Sequence, residues 1–169
     1  YVSMALSYVR IEAEQTDYVI KQYSLDSIVK QSVRKYAPLF ISKKIRLDIE
    51  DTALIVNTDE KWLGFVIEQI LSNSLKYTSS GSISISYETP KTLIISDTGI
   101  GIAPEDIPRI GEKGFTGYNG RTFRKSTGLG LYLCKEILTR LSHSMTISSE
   151  VGKGTTVKID LQTYEITPE

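Results

Sequence analysis

The chain has 169 residues, 40% of them hydrophobic and 24% charged, and its 20 basic and 20 acidic side chains balance to zero; this suits one soluble domain with a real core and points to neither nucleic acid nor a membrane surface. A single Cys and a single His exclude a disulfide framework and a Cys/His zinc site, and leave no Ser-His-Asp constellation unless His143 joins one. No apolar run approaches the ~18 residues of a membrane span, and no signal peptide is visible.

Residues 1–13 put Tyr1, Met4, Ala5, Tyr8 and Ile11 on one helical face and Val2, Leu6, Val9 and Ala13 on an adjacent stripe. So wide an apolar surface on a short helix predicts bundle partners. The chain begins inside this pattern, which suggests a piece of something longer. Residues 14–17 are a polar break, and Tyr18 to Tyr23 reads as a short strand. Ser24 then caps a helix, with Tyr23 and Ile28 spaced for a hydrophobic staple. Leu25, Ile28, Val29, Ser32, Val33, Tyr36 and Phe40 keep the helical period, and Pro38 is expected to end or kink that helix. Ile45–Ile49 and Leu54–Val56 read as strands, expected to neighbour each other in an antiparallel pair.

The next helix runs from about Asp59 to Tyr77. Leu63, Val66, Ile67, Ile70, Leu71, Ser74 and Leu75 fall towards one side of it. At ~100° per residue, Gln69, Asn73, Lys76 and Tyr77 form a second stripe at the edge of that apolar face. Such a stripe is either a place to meet a ligand or a solvated flank. Ile83–Tyr87 alternates as a strand, and Leu93-Ile94-Ile95 is a short apolar run that reads as a buried one. The run ends in Ser96-Asp97-Thr98-Gly99-Ile100-Gly101-Ile102. An acid at a strand end followed by two glycines describes a backbone that a flat ligand can lie against; it also describes an ordinary turn.

Residues 103–127 carry no convincing period. Eight of the twelve glycines lie between 99 and 130, and Arg109, Lys113, Arg121, Arg124 and Lys125 face a single acid, Glu112, across the segment 109–125. A long basic, glycine-rich segment in a compact domain is either disordered or a functional lid. Gly128 and Gly130 then lead into a helix with Leu129, Leu133, Ile137 and Leu141 at four-residue steps. Cys134 sits beside that stripe as core, and His143 is expected at a surface turn. Met145–Ser149 and Thr155–Leu161, joined by Val151-Gly152-Lys153-Gly154, read as a hairpin. The order of elements predicts an α/β sandwich with a mixed sheet and helices on one face. The strand pairs argue against a fully parallel Rossmann sheet.

A helix start after glycines offers free N–H groups and a positive dipole end to phosphate oxygens. No Gly-Lys-Ser/Thr follows, so this is not a Walker loop, and spacing and strand context exclude the Rossmann fingerprint. Lys76 and the basic segment supply cations. The side-chain carbonyl of Asn73 suits a hard metal such as Mg²⁺, with phosphates and waters giving the remaining oxygens. Asp97 is placed to accept a hydrogen bond from an exocyclic amine, which favours adenine over guanine, and Tyr77 to pack on base or ribose.

Four segments, in order, resemble the nucleotide-binding boxes of the histidine-kinase catalytic domain, with its Bergerat ATP fold. Glu68-Gln69-Ile70-Leu71-Ser72-Asn73-Ser74-Leu75-Lys76-Tyr77-Thr78 is similar to the asparagine box and Asp97-Thr98-Gly99-Ile100-Gly101-Ile102 to the first glycine box. Gly114-Phe115-Thr116-Gly117 lies near the phenylalanine box, and Thr127-Gly128-Leu129-Gly130-Leu131 resembles the second glycine box. Gly152-Lys153-Gly154-Thr155 is similar to the closing glycine-threonine turn. Lys61-Trp62-Leu63 and the 114–120 run look most like the Firmicutes kinases that work beside peptide-antibiotic ABC transporters.

The resemblance implies an α+β fold: a two-layer sandwich whose mixed, mostly antiparallel sheet of about five strands packs on three helices. It implies residues 1–16 as the end of a dimerisation helix and linker, and 17–169 as the ATP-binding catalytic domain. It implies ATP and Mg²⁺, with Asn73 on metal and phosphate and Lys76 on phosphate. Asp97 reads the adenine amine, with Gly99, Gly101 and Ile102 beside it, and Thr155 supports Asp97, directly or through water. Gly128, Leu129, Gly130 and Leu131 hold the triphosphate, and Tyr77, Phe115, Thr116 and Thr127 complete the nucleotide site. The implied partners are a phosphoacceptor hairpin of the same protein, a response regulator, an ABC transporter and a second copy in a homodimer, with no nucleic acid. The domain is expected in the cytoplasm, and the whole protein in the cell membrane.

Two departures matter. The earlier asparagine of the family is Gln69 here, which puts its metal or phosphate contact in doubt. Related ATPases of the fold, such as the gyrase and mismatch-repair enzymes, carry a water-activating glutamate near this place. Gln69 cannot act as a general base, and Glu68, the remaining acidic candidate, is rotated ~100° away. This favours γ-phosphoryl transfer over fast hydrolysis. The chain also lacks a phosphoacceptor His on a preceding hairpin, so it is expected to bind ATP without phosphorylating itself. A nucleotide-binding regulatory module, or a protein-serine kinase of the anti-sigma-factor type, shares the fold; the bundle-like helix at 1–13 argues against the second.

Overall fold

Asp59 shows how local chemistry builds this domain. One of its carboxylate oxygens caps a helix by accepting the Trp62 N–H at 3.0 Å, while the other accepts the Val19 N–H at 2.8 Å. The first bond satisfies a donor that a helix start leaves orphaned; the second ties the segment that leads into the domain to the same point. The structure is a computed structural model and describes residues 18–110, 112 and 130–163. The expected helix at 1–13 and most of the basic segment lie outside the described residues.

In chain order the elements are β1 (Lys21–Ser24), α1 (Leu25–Lys43), β2 (Arg46–Ile49), β3 (Ile55–Thr58), α2 (Glu60–Tyr77), β4 (Ser82–Glu88), β5 (Thr92–Asp97), a 3-10 turn (Ile107–Arg109), α3 (Gly130–Arg140), β6 (Ser144–Glu150) and β7 (Gly154–Asp160). Ser24 caps α1 as expected, its hydroxyl accepting the Ser27 N–H at 3.3 Å. The strand before it starts at Lys21, later than the expected Tyr18.

Pro38 does not end α1. The helix runs through it to Lys43 and closes at Lys44 in the left-handed conformation, φ 56°. Proline removes one backbone bond and crowds the preceding turn. Beyond it, however, Phe40 is buried in the core and the Lys43 ammonium bonds the Leu75 carbonyl at the end of α2. These contacts hold the last turn in place.

The five-stranded sheet has the order β2-β4-β5-β7-β6. All its pairings are antiparallel except β2 with β4. The expected hairpin of β2 with β3 is therefore corrected. β2 joins the main sheet in parallel with β4, and β3 forms a separate two-stranded antiparallel sheet with β1. The connection 50–54 is Glu-Asp-Thr-Ala-Leu, without the glycine or asparagine that a tight hairpin needs.

Ile85, Ile95 and Val157 lie in register and are buried, as are Leu93 and Ile159. They meet the apolar stripes of the helices, with α2 packing against both α1 and α3. Trp62, Leu63, Val66, Ile67, Ile70, Leu71 and Leu75 of α2 are all buried. Leu133, Cys134, Ile137 and Leu138 of α3 complete this layer. Cys134 is plain core, and burial pushes its thiol up to about 12.

His143 is not at the surface. It is only 6% exposed, and its Nε2 lies 3.0 Å from the hydroxyl of the fully buried Thr58. Its backbone N–H bonds the Leu138 carbonyl at 2.8 Å, which folds the turn back over the end of β3. Burial pushes the imidazole down to about 4 despite the nearby charge of Asp160.

Candidate nucleotide-binding site

The side-chain alternation of a strand decides where Asp97 points. Leu93, Ile95 and Asp97 share one face of β5, the face that the helices cover. Asp97 stands in register with Ile83 and Thr155. It extends the buried apolar stripe by one step, to the place where α2 ends. A carboxylate there faces its own layer of protein as well as the rim.

Its surroundings are built for a carboxylate. Asp97 Oδ1 accepts the Gly99 N–H at 2.9 Å and the Thr155 N–H at 3.2 Å. Burial pushes the carboxyl above its ordinary range, and the Gly99 and Thr155 N–H groups pull it back.

The glycines of this loop also make room for protein backbone. A Cβ on Gly99 would stand 2.4 Å from the Tyr77 carbonyl oxygen and 3.0 Å from Asp97 Oδ1. Gly101 has φ +76°, and a Cβ there would meet the Glu150 carbonyl oxygen at 2.3 Å. Both glycines let protein backbone approach the loop, from the end of α2 on one side and from the β6–β7 hairpin on the other. The Ile100 N–H bonds the Tyr77 carbonyl at 3.0 Å and the Gly152 N–H bonds the Ile100 carbonyl at 2.9 Å. Ser149 adds a third tie, its hydroxyl accepting the Ile102 N–H at 2.8 Å.

Thr155 was expected to support Asp97, and it does so directly, through its backbone N–H. Its hydroxyl is engaged elsewhere, 2.8 Å from that of Ser149. Ser149 was missed as a site residue, because nothing local in the sequence marks a strand serine as a loop anchor.

On α2, Gln69, Asn73, Lys76 and Tyr77 form the expected half-buried stripe. Burial pushes the Lys76 ammonium down, and its Nζ lies 5.2 Å from the centroid of the Tyr77 ring. Glu68 is not part of this stripe. It forms an ion pair with Lys35 of α1, 3.0 Å away, on the opposite flank of the helix. Gly130 and Leu131 open α3 and are half-buried. Phe115, Thr116, Thr127, Gly128 and Leu129 lie outside the described residues.

Asn73 and Gln69, one helical turn apart, offer neutral hard oxygen donors of the kind Mg²⁺ takes beside phosphate and water. Among the described residues there is no group of three or more His, Cys, Asp or Glu side chains able to hold a metal ion.

A layered α+β domain with an acid anchored at a strand end, beside a helix carrying asparagine and lysine, defines a class. Residues 58–165 match the histidine kinase-, DNA gyrase B-, and HSP90-like ATPase family, and the chain belongs to it. Within that family its relatives are sensor kinases. It is 34% identical to sensor histidine kinase YxdK of Bacillus subtilis, over 91% of this chain and 49% of that protein. It is 37% identical to sensor protein BceS of Halalkalibacterium halodurans, over 87% of this chain and 45% of that protein. Sensor protein kinase GraS of Staphylococcus aureus is 38% identical, over 89% and 44% respectively. The chain thus spans about half the length of the curated relatives it matches.

The fold agrees. Histidine kinase AdeS of Acinetobacter baumannii superposes with a TM-score of 0.73 at 22% identity, over 96% of this chain and 77% of that one. The catalytic domain of histidine kinase ThkA gives 0.72 at 18% identity, over 86% and 96%. Full-length ShkA, solved with AMPPNP, gives 0.77 at 19% identity, over 96% and 36%.

Proposed function

We propose that this chain is the ATP-binding catalytic domain of a two-component sensor kinase, and that it delivers the γ-phosphoryl group to a histidine on a helical hairpin of the same protein. Asp97 accepts a hydrogen bond from the adenine amine. Asn73 and Lys76 face the phosphates, Tyr77 packs on base or ribose, and Gly128–Leu131 hold the triphosphate at the start of α3. The observation that carries this reading is the anchoring of Asp97. Donors from the loop and from the β6–β7 hairpin meet at one carboxylate, and the same loop bonds the end of α2, which bears Asn73 and Lys76.

Mg²⁺ fits the oxygen donors of Asn73 and Gln69. Bound there, it would neutralise phosphate charge. The chain's own residues do the remaining work: they orient the base, fix the triphosphate and present its terminal group. Gln69 supplies no general base, and Glu68 is engaged with Lys35, so the proposal assigns water activation to neither. Transfer is favoured over hydrolysis on that ground.

In this proposal residues 1–16 are the end of a dimerisation helix and linker, and residues 17–169 are the ATP-binding catalytic domain; the sensor kinases among the relatives support the kinase assignment. They also support a response regulator as the next phosphate acceptor, and a homodimer for the whole protein. An ABC-transporter partner and placement of the whole protein in a membrane belong to the same proposal. Among the described residues no helix is long and apolar enough to cross a membrane.

The test is radiolabelled ATP with Mg²⁺, the chain, and a separately expressed hairpin bearing the histidine. Acid-labile phosphate on that histidine supports the reading. Phosphate on serine, or on no partner, contradicts it. The chain alone is expected to keep no stable label.

A further inference from the structure

We propose that Ser149 is a positioning residue for base selection. It holds the Thr155 hydroxyl as a pure acceptor beside Asp97, so that the pocket takes an exocyclic amine and rejects a carbonyl in its place. The proposal rests on the reading of Asp97 as the residue that meets the base. Strand register brings the three side chains into one row. Asp97 pairs with Thr155 across β5 and β7, and Thr155 pairs with Ser149 across β7 and β6. Cross-strand partners share a face of the sheet, and by the alternation of a strand this is the face of Ile95 and Val157. The row therefore continues the apolar stripes as three half-buried polar groups.

The protons around Ser149 can be counted. A hydroxyl has one proton and two lone pairs. The Ile102 N–H can only donate, and it meets Ser149 Oγ at 2.8 Å. The Gly154 carbonyl can only accept, and it lies 2.8 Å from the same oxygen. Ser149 thus gives its proton to Gly154 and keeps one lone pair. The Thr155 hydroxyl, 2.8 Å away, fills that lone pair with its own proton. Its oxygen is left with lone pairs alone. Beside it in the row stands the Asp97 carboxylate, an acceptor too, already bonded by the Thr155 N–H at 3.2 Å. Gly154 has φ +132°, and a Cβ there would collide with the Asp97 carbonyl. The residue that takes the Ser149 proton is thus itself packed on the strand end that bears the acid. A free threonine hydroxyl turns to suit a donor or an acceptor; this one is committed. Two neighbouring acceptors suit an amine and repel a carbonyl oxygen.

The probes are ATP and inosine triphosphate, which has a carbonyl in place of the amine, bound with Mg²⁺ to the chain and measured by calorimetry. Wild type is expected to prefer ATP. Ser149→Ala frees the Thr155 proton to turn towards a carbonyl, and the preference should fall about fivefold, the effect of one neutral hydrogen bond. Loss of the Ile102 bond weakens both nucleotides alike, so the ratio of affinities is the readout. Ser149→Thr keeps a hydroxyl and should restore the ratio. Thr155→Val removes the acceptor and should lower the ratio by itself, and it serves if Ser149→Ala does not fold. Adding Ser149→Ala to Thr155→Val should change the ratio no further. An unchanged ratio in Ser149→Ala or in Thr155→Val would mean merely structural hydroxyls and would overturn the proposal, as would a further fall in the double variant; each leaves the role of Asp97 intact. Equal affinity of wild type for the two nucleotides, or a wild-type ratio in Asp97→Asn, would remove the reading on which the proposal rests.

Discussion

Gly99 and His143 each place a strict local condition on this fold. Gly99→Ala forces a methyl group against the Tyr77 carbonyl and towards Asp97 Oδ1. The Tyr77 carbonyl is held in place by the Ile100 N–H that it accepts. We expect a cost of about 2 kcal/mol, as for overpacked cores, together with a loss of ATP affinity larger than the drop in stability alone would cause. Urea titration and calorimetric binding on the same variant separate the two. His143 gives a pH dependence. An unfolded histidine takes up its proton near pH 6.5, but the buried imidazole refuses it down to about 4. The unfolded chain therefore binds more protons in that window, and stability falls as pH drops from 6.5 towards 4, by up to about 3 kcal/mol. Above 6.5 the contribution is constant. Asp160 is the acid close enough to moderate the effect. The melting temperature of His143→Gln should fall less steeply over the same range; parallel curves for variant and wild type would contradict this.

At the scale of elements, α2 is both the scaffold and one wall of the site, and its two ends can be tested separately. Asp59→Ala removes the cap on Trp62 and the tie to Val19 together. We expect a loss of about 2 kcal/mol, the sum of a helix cap and a buried hydrogen bond, read by urea unfolding. Hydrogen exchange should accelerate at Val19 and across the first turn of α2. Glu68 sits on the flank that faces α1, paired with a Lys35 side chain that is 63% exposed. Glu68→Gln should cost under about 1 kcal/mol and leave ATP affinity within about twofold. A collapse of phosphoryl transfer in that variant would restore it as a catalytic residue.

These elements also show what the sequence could reveal. α2 was legible because its apolar period and polar stripe agree over five turns. The place of Asp97 was legible because it stands at the end of the apolar run Leu93-Ile94-Ile95, with glycines at 99 and 101 behind it. The pairing of β2 was not, since period 2 announces a strand but not its neighbour, and its partner lies beyond the whole of α2 in sequence. Pro38 was overridden by Phe40 and Lys43 packing on the far side of it. His143 looked like a turn residue because its burial depends on Thr58, a long-range contact. Ser149 acts through a hydroxyl whose partners only the assembled hairpin and loop bring near.

The whole molecule places one functional acid where the two layers of the sandwich meet. β5 delivers Asp97 from the sheet, α2 brings Asn73 and Lys76 from the helices, and the β6–β7 hairpin closes the loop through Thr155, Ser149 and the close approach at Gly101. The nucleotide-binding roles proposed for Asp97, Asn73 and Lys76 all rest on that junction. The most direct test of this assignment is the Mg²⁺-dependent affinity for ATP of wild type against Asp97→Asn, measured by calorimetry at neutral pH with the fold checked by circular dichroism. Asparagine keeps the size but gives up the charge and one acceptor oxygen, so the account predicts a loss of about tenfold or more. Equal affinity in a folded Asp97→Asn would contradict it.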